Sequence, residues 1–179
     1  MAECKQAVLV EKETAHRDCL TGCYDRMTIQ HLVERCFLKS DVRQSHAMFV
    51  IDVDNFKDYN DKYGHANGDL CLKHFAAAMK KCFPKDSILG RYGGDEFVVY
   101  IKNAASDDAH RYMDEFQREI SHLIMAGGEH VTVSASAGGV AFIGEGEDFV
   151  SLCRSADNML YDVKRNGKGT FKIKGAKNM

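Results

Sequence analysis

The chain has a single proline, Pro84, so a proline-rich linker is excluded, and no repeat or low-complexity tract divides its 179 residues. One domain is the natural reading for that length. No apolar stretch approaches the length of a membrane span, and the N-terminus lacks the apolar core of a signal peptide. Together these predict a cytoplasmic segment without membrane contact. An excess of one charge is also missing, because 24 Lys and Arg against 26 Asp and Glu leave a net charge of −2. That balance offers no polybasic face for nucleic acid or anionic lipid, although a nucleotide needs only a few local cations. The seven cysteines, at 4, 19, 23, 36, 71, 82 and 153, include no C-x-x-C pair. Cys19 and Cys23, with His16 and His31 nearby, invite a zinc reading, but free thiols in a reducing compartment account for them more simply.

What is present suffices for a core: 45% of residues are apolar and 28% charged. Apolar stripes at helical spacing predict helices over about 25–38, 69–83, 107–125 and 148–164. Alternation of Val131, Val133, Ala135 and Ala137 with Thr132, Ser134 and Ser136 predicts a strand, and Phe171 with Ile173 a short edge strand. The order β-α-α-β-β-α-β-α-β suits an antiparallel sheet with helices on one main face.

Two acidic clusters stand out against this frame. In Arg91-Tyr92-Gly93-Gly94-Asp95-Glu96-Phe97, a Gly-Gly pair separates two apolar stretches and two carboxylates follow at once. Gly-Gly suits a two-residue hairpin turn, so Ile88 to Tyr92 and Phe97 to Ile101 read as paired strands. Side chains alternate along a strand, so Asp95 and Glu96 would point to opposite faces, one to hold a metal and the other to serve a different role. A plain surface turn also favours these residues. Upstream, the apolar run Ala47 to Ile51 ends in Asp52-Val53-Asp54, a buried strand delivering carboxylates at its edge. Hard cations such as Mg²⁺ take oxygen ligands of this kind.

The chain resembles the GGDEF domain of diguanylate cyclases over about Asp18 to Ile173. The segments that carry the resemblance are Asp18 through Arg26, Ile51 through Lys57, Asn60 through Asp69, Arg91 through Phe97, and Ala156-Asp157 through Tyr161 to Lys164 and Lys168. Five segments in order and spacing are far more specific than any one. The resemblance implies an α+β (α/β sandwich) fold: a palm-like, nucleotidyl cyclase-like antiparallel sheet of about five strands flanked by helices. It divides the chain into a leader at 1–17, the domain at 18–175 and a tail at 176–179, with Val8 to His16 as the end of a helix from an upstream sensor.

The implied reaction condenses two GTP into cyclic di-GMP with loss of pyrophosphate, across a homodimer. By motif position Asp52, the Val53 carbonyl and Asp95 look like ligands of Mg²⁺ or Mn²⁺, two ions per half-site. Glu96 is a further ligand or the base for the 3′-hydroxyl. Asn55, Phe56 and Lys57 lead into a helix whose N–H groups would receive phosphate oxygens, and Lys57, Lys164 and Lys168 would add charge. Relatives commonly carry arginine at the Lys168 position, so a bidentate grip is lost there. Asn60 and Asp69 would read guanine, since a carboxylate can accept from both N1–H and the 2-amino group. The plain alternative makes them helix caps around Gly64 to Gly68. Relatives that make hybrid cyclic GMP-AMP tend to replace the acid at Asp69. Two further departures are Asp25, where asparagine is usual, and Pro84-Lys85-Asp86-Ser87, where the Arg-x-x-Asp of a product-inhibition site is missing. The remaining readings are a catalytically silent GTP-binding module and a purely structural dimerisation domain. The intact Gly93 to Phe97 motif and the two acid clusters argue against these.

Overall fold

A computed structural model describes residues 16–39, 44–121, 133–143 and 148–175. Most of the expected leader, the tail, positions 122–125 of the third expected helix and positions 131–132 of the expected strand lie outside the described residues. The elements are α1 (Arg26–Lys39), β1 (Ser45–Val53), α2 (Phe56–Tyr63), α3 (His65–Cys82), β2 (Ile88–Arg91), β3 (Glu96–Ile101), α4 (Ser106–Ser121), β4 (Ala135–Ile143), α5 (Phe149–Arg165) and β5 (Phe171–Lys174). They form one five-stranded sheet in the order β2-β3-β1-β4-β5.

The sheet is mixed, not wholly antiparallel. β1 pairs antiparallel with both β3 and β4, whereas β4 and β5 run parallel. A parallel neighbour needs a crossover, and α5 supplies it. Helices cover both faces of the sheet, which corrects the one-face expectation. The reason is visible in β1, whose odd and even positions are both buried. Ala47, Phe49, Ile51 and Val53 pack with Leu72, Phe75 and Met79 of α3 and Met113, Phe116 and Ile120 of α4. Met48 and Val50 pack on the other face with Ile29 and Val33 of α1 and Leu152, Ala156 and Leu160 of α5. Each such large side chain, fully buried, contributes about 1.5–3 kcal/mol.

Two element boundaries moved. α3 begins at His65, with Gly64 alone separating it from α2, so Asp69 sits inside a helix instead of opening one. β4 runs on through Gly138 and Gly139 to Ile143. Both glycines accept close neighbours. A Cβ on Gly138 would run into the Ala156 carbonyl and Leu160 amide of α5, and one on Gly139 into the Phe49 ring.

Candidate active site

The antiparallel register of β1 and β3 places Asp52 directly opposite Glu96. Opposed residues share a face, here the face covered by α5. The Val53 amide donates to the Asp95 carbonyl at 3.2 Å, so the end of β1 meets the start of β3. The hairpin differs from the two-residue turn. Four residues, Tyr92 to Asp95, separate β2 from β3, and the Tyr92 and Gly93 amides both donate to the Glu96 carbonyl, at 2.8 and 3.2 Å. Neither Gly93 nor Gly94 adopts a left-handed backbone. An added Cβ at 93 would lie 2.8 Å from Glu96 Oε2, so the end of the Glu96 side chain would have to shift to admit it.

Crowding of acids marks the site. Burial pushes the Asp52 carboxyl up, opposed by Lys164 and reinforced by Asp95 and Asp54. Burial also raises Glu96, helped by Asp52 and Asp95 and more weakly by Asp157. Asp157 is exposed, yet desolvation around its carboxyl raises it too. Lys164 Nζ lies 2.8 Å from Asp52 Oδ2. Among the described residues no three His, Cys, Asp or Glu side chains form a ready-made metal cage. The donor chemistry nonetheless fits a hard dication. Asp52, Asp95 and Glu96 offer oxygens at one end of two strands, and their mutual repulsion would be relieved by positive charge.

The expected phosphate loop is assembled from two distant stretches. Asn55 caps α2 in a left-handed backbone (φ 54°) without a side-chain cap bond. Its Oδ1 instead accepts from Lys168 Nζ at 2.8 Å. Lys168 is also left-handed (φ 61°), between Gly167 and Gly169, and so belongs to the loop after α5, not to the helix. Strained non-glycine backbone of this kind persists where surroundings over-determine it. Asp54 ties the two stretches together. Its Oδ1 accepts from Ser136 Oγ at 2.7 Å and its Oδ2 from Ser134 Oγ at 2.9 Å and the Gly169 amide at 3.0 Å. Asp54, Ser134 and Ser136 were not among the expected site residues, although the second acid of Asp52-Val53-Asp54 was a visible signal. Phe56 is half-buried and Lys57 exposed on the first turn of α2.

Phe56, Asn60 and Gly68 meet at the α2–α3 corner, where a Cβ on Gly68 would collide with Asn60 Oδ1. That oxygen is buried without a hydrogen bond. Asp69 is exposed beside it. Neither residue caps a helix with its side chain. Gly64 is the shared cap, and Asn67 Nδ2 makes the side-chain bond to Tyr63 O at 2.6 Å. Asp25, where asparagine is usual, accepts from the Thr28 amide at 2.8 Å at the start of α1. A separate concavity of about 550 Å³, lined by residues including Gln117, Arg118 and Gly169, holds none of the expected site residues. The site described above is defined by its chemistry and is an open strand end.

Comparison with known proteins agrees with this architecture. The model of the family described as "Diguanylate cyclase, GGDEF domain" matches residues 15–170, and the chain belongs to that family. Diguanylate cyclase DgcM of Escherichia coli is 30% identical over 158 residues, covering 88% of this chain and 38% of its own. Cyclic di-GMP phosphodiesterase PdeR of Escherichia coli is 31% identical over 157 residues, covering 88% of this chain and 24% of its own. Diguanylate cyclase SiaD of Pseudomonas aeruginosa, solved with its activator SiaC, superposes with a TM-score of 0.86 at 30% identity over 97% of this chain and 67% of that one. The chain spans less than half the length of the curated relatives it matches first. No helix among the described residues is long and apolar enough to cross a membrane.

Proposed function

We propose that the chain is an active diguanylate cyclase domain that joins two GTP into cyclic di-GMP. The observation that carries this reading is Glu96 held opposite Asp52 by an intact Gly93 to Phe97 hairpin. In the reaction each ribose 3′-oxygen attacks the α-phosphorus of the other GTP, its proton leaves, and the bond to pyrophosphate breaks, twice per product. Glu96 would take that proton, and its raised carboxyl supports the role because it is a stronger base than an ordinary one. Asp52, the Val53 carbonyl and Asp95, with Glu96 beside them, would hold Mg²⁺ or Mn²⁺, two ions per half-site. The metal would offset triphosphate charge and acidify the attacking hydroxyl.

Asn55, Phe56 and Lys57 offer backbone and charge to phosphate oxygens, with Lys164 and Lys168 closing from the other side. Asn60 donates from its amide to guanine O6 or N7, and Asp69 accepts from N1–H and the 2-amino group. Adenine would leave Asp69 unpaired, which favours GTP in both half-sites over the hybrid product. One subunit binds one GTP, so two must face each other in a homodimer. A sensor or activator acting from outside this segment is part of the same reading, since the chain matches only portions of its relatives.

A second reading is a silent GTP-binding module, and the match to part of a protein named as a phosphodiesterase favours it. Incubating the purified chain with Mg²⁺ and equimolar GTP and ATP, at low and high protein concentration, separates the two. Cyclic di-GMP with a yield rising faster than protein supports the cyclase. Bound GTP without product at any concentration supports the silent module.

A further inference from the structure

The proposed site contains an ion pair whose partners have competing duties. Lys164, expected to meet phosphate, lies instead on Asp52, an expected metal ligand, at 2.8 Å; its side chain is 36% exposed and that of Asp52 14%. The packing of α5 sets this reach. Gly138 of β4 lies opposite Val50 of β1 and lets the helix backbone settle onto the sheet at Ala156 and Leu160. One turn beyond Leu160, on the same helix face, comes Lys164. Two residues beyond Val50, on the same sheet face, comes Asp52. The ammonium therefore meets the carboxylate by the geometry of the helix–sheet contact. The neighbouring Lys168 is engaged elsewhere, on Asn55.

We infer that Lys164 is an internal counter-ion of Asp52 that a divalent cation has to displace, so that metal and triphosphate bind cooperatively. The inference rests on the metal role proposed for Asp52. An ammonium and a dication on one largely buried carboxylate repel each other with little screening. A triphosphate removes the conflict by giving the released ammonium new oxygen partners. Metal alone then binds weakly, nucleotide strengthens it, and metal strengthens nucleotide by the same factor.

The test is Mn²⁺ binding to the full chain, read from the electron paramagnetic resonance signal of free Mn²⁺, with and without a non-hydrolysable GTP analogue. Lys164→Gln, and Lys164→Met to keep the aliphatic stem, should bind Mn²⁺ alone about tenfold tighter than wild type. Both should lose most of the strengthening by the analogue. Lys172→Gln removes the same charge from a pair with Asp162 outside the site and should match wild type. Unchanged or weaker Mn²⁺ affinity in folded Lys164 variants overturns the inference, as does equal tightening in Lys172→Gln. If Asp52→Asn leaves Mn²⁺ binding intact, the metal reading of Asp52 falls as well. If Asp52→Asn removes binding while the Lys164 variants fail to tighten it, only the coupling falls.

Discussion

Asp52 and Glu96 face each other across the β1–β3 pair, two carboxylates on one sheet face, with burial raising both and the Asp52 charge adding to the rise of Glu96. Glu96→Gln should therefore lower cyclic di-GMP formation by at least about 10²-fold, the scale of a lost general base. The same substitution should not harm the fold. The folded-state pKa of Glu96 is raised above its unfolded value, so between those values the folded state holds more protons than the unfolded one. Stability then falls as pH rises through that window. Removing the charge should leave the metal-free variant melting at or above wild type at neutral pH, with the difference vanishing below the ordinary carboxylate range. Thermal melts at the two pH values check the sign. A variant clearly less stable at neutral pH contradicts it.

Asp69 stands exposed on α3 with no capping duty, which frees its carboxylate for a base edge. Asp69→Ala should raise GTP KM and lower the preference for GTP over ATP by about tenfold or more. Products from an equimolar mixture, separated by chromatography, give the ratio directly. An unchanged ratio would remove Asp69 from base selection.

The two acid clusters were legible from local pattern, as apolar runs ending in acids and a turn joining two strands, whereas the flanked five-stranded sheet was implied by the family resemblance. The two-faced helix cover was less legible, since β1 is apolar at every position from Ala47 to Ile51 and period alone does not say which helix meets which face. The clamp on the proposed phosphate loop was hidden for another reason. Asp54 finds Ser134, Ser136 and Gly169 from sequence separations of 80, 82 and 115 residues, a distance no local pattern spans. Gly138 and Gly139 did carry a signal, because glycine within a strand marks close backbone approach.

Arg91 holds the hairpin from outside. Its Nε and Nη2 donate to the Gly94 carbonyl at 3.1 and 2.7 Å, while Nη1 pairs with Asp18 at 3.1 Å. Asp18 in turn accepts from the Thr21 amide and hydroxyl. Both Arg91→Ala and Asp18→Ala should cost about 1–3 kcal/mol in denaturant unfolding, with a double variant losing less than the sum. Additive losses would show that the two residues act separately.

Pro84 to Ser87 form a turn, closed by the Ser87 amide on the Pro84 carbonyl at 2.9 Å, just before β2. With neither the arginine nor the aspartate of the Arg-x-x-Asp pattern in place, added cyclic di-GMP should inhibit only by competing with GTP. Initial rates at several GTP concentrations distinguish this from a lowered maximal rate, which would reveal a product site elsewhere.

Gly138→Ala tests how far the site depends on helix–sheet distance. The new Cβ would meet backbone atoms of Ala156 and Leu160, which cannot rotate away as a side-chain end can. Either α5 lifts from β4 or the strand bends, at about 1–3 kcal/mol for overpacking of this kind. Lifting α5 would also draw Lys164 from Asp52, since the ion pair lies one turn beyond the point of contact. The expected result is a lower denaturation midpoint, with an unchanged m-value, together with a loss of activity larger than Gly139→Ala produces. At Gly139 the obstacle is the Phe49 ring, which packs on the other sheet face and not against α5. Equal effects at the two positions would mean that the separation of α5 from the sheet does not set the geometry of the site.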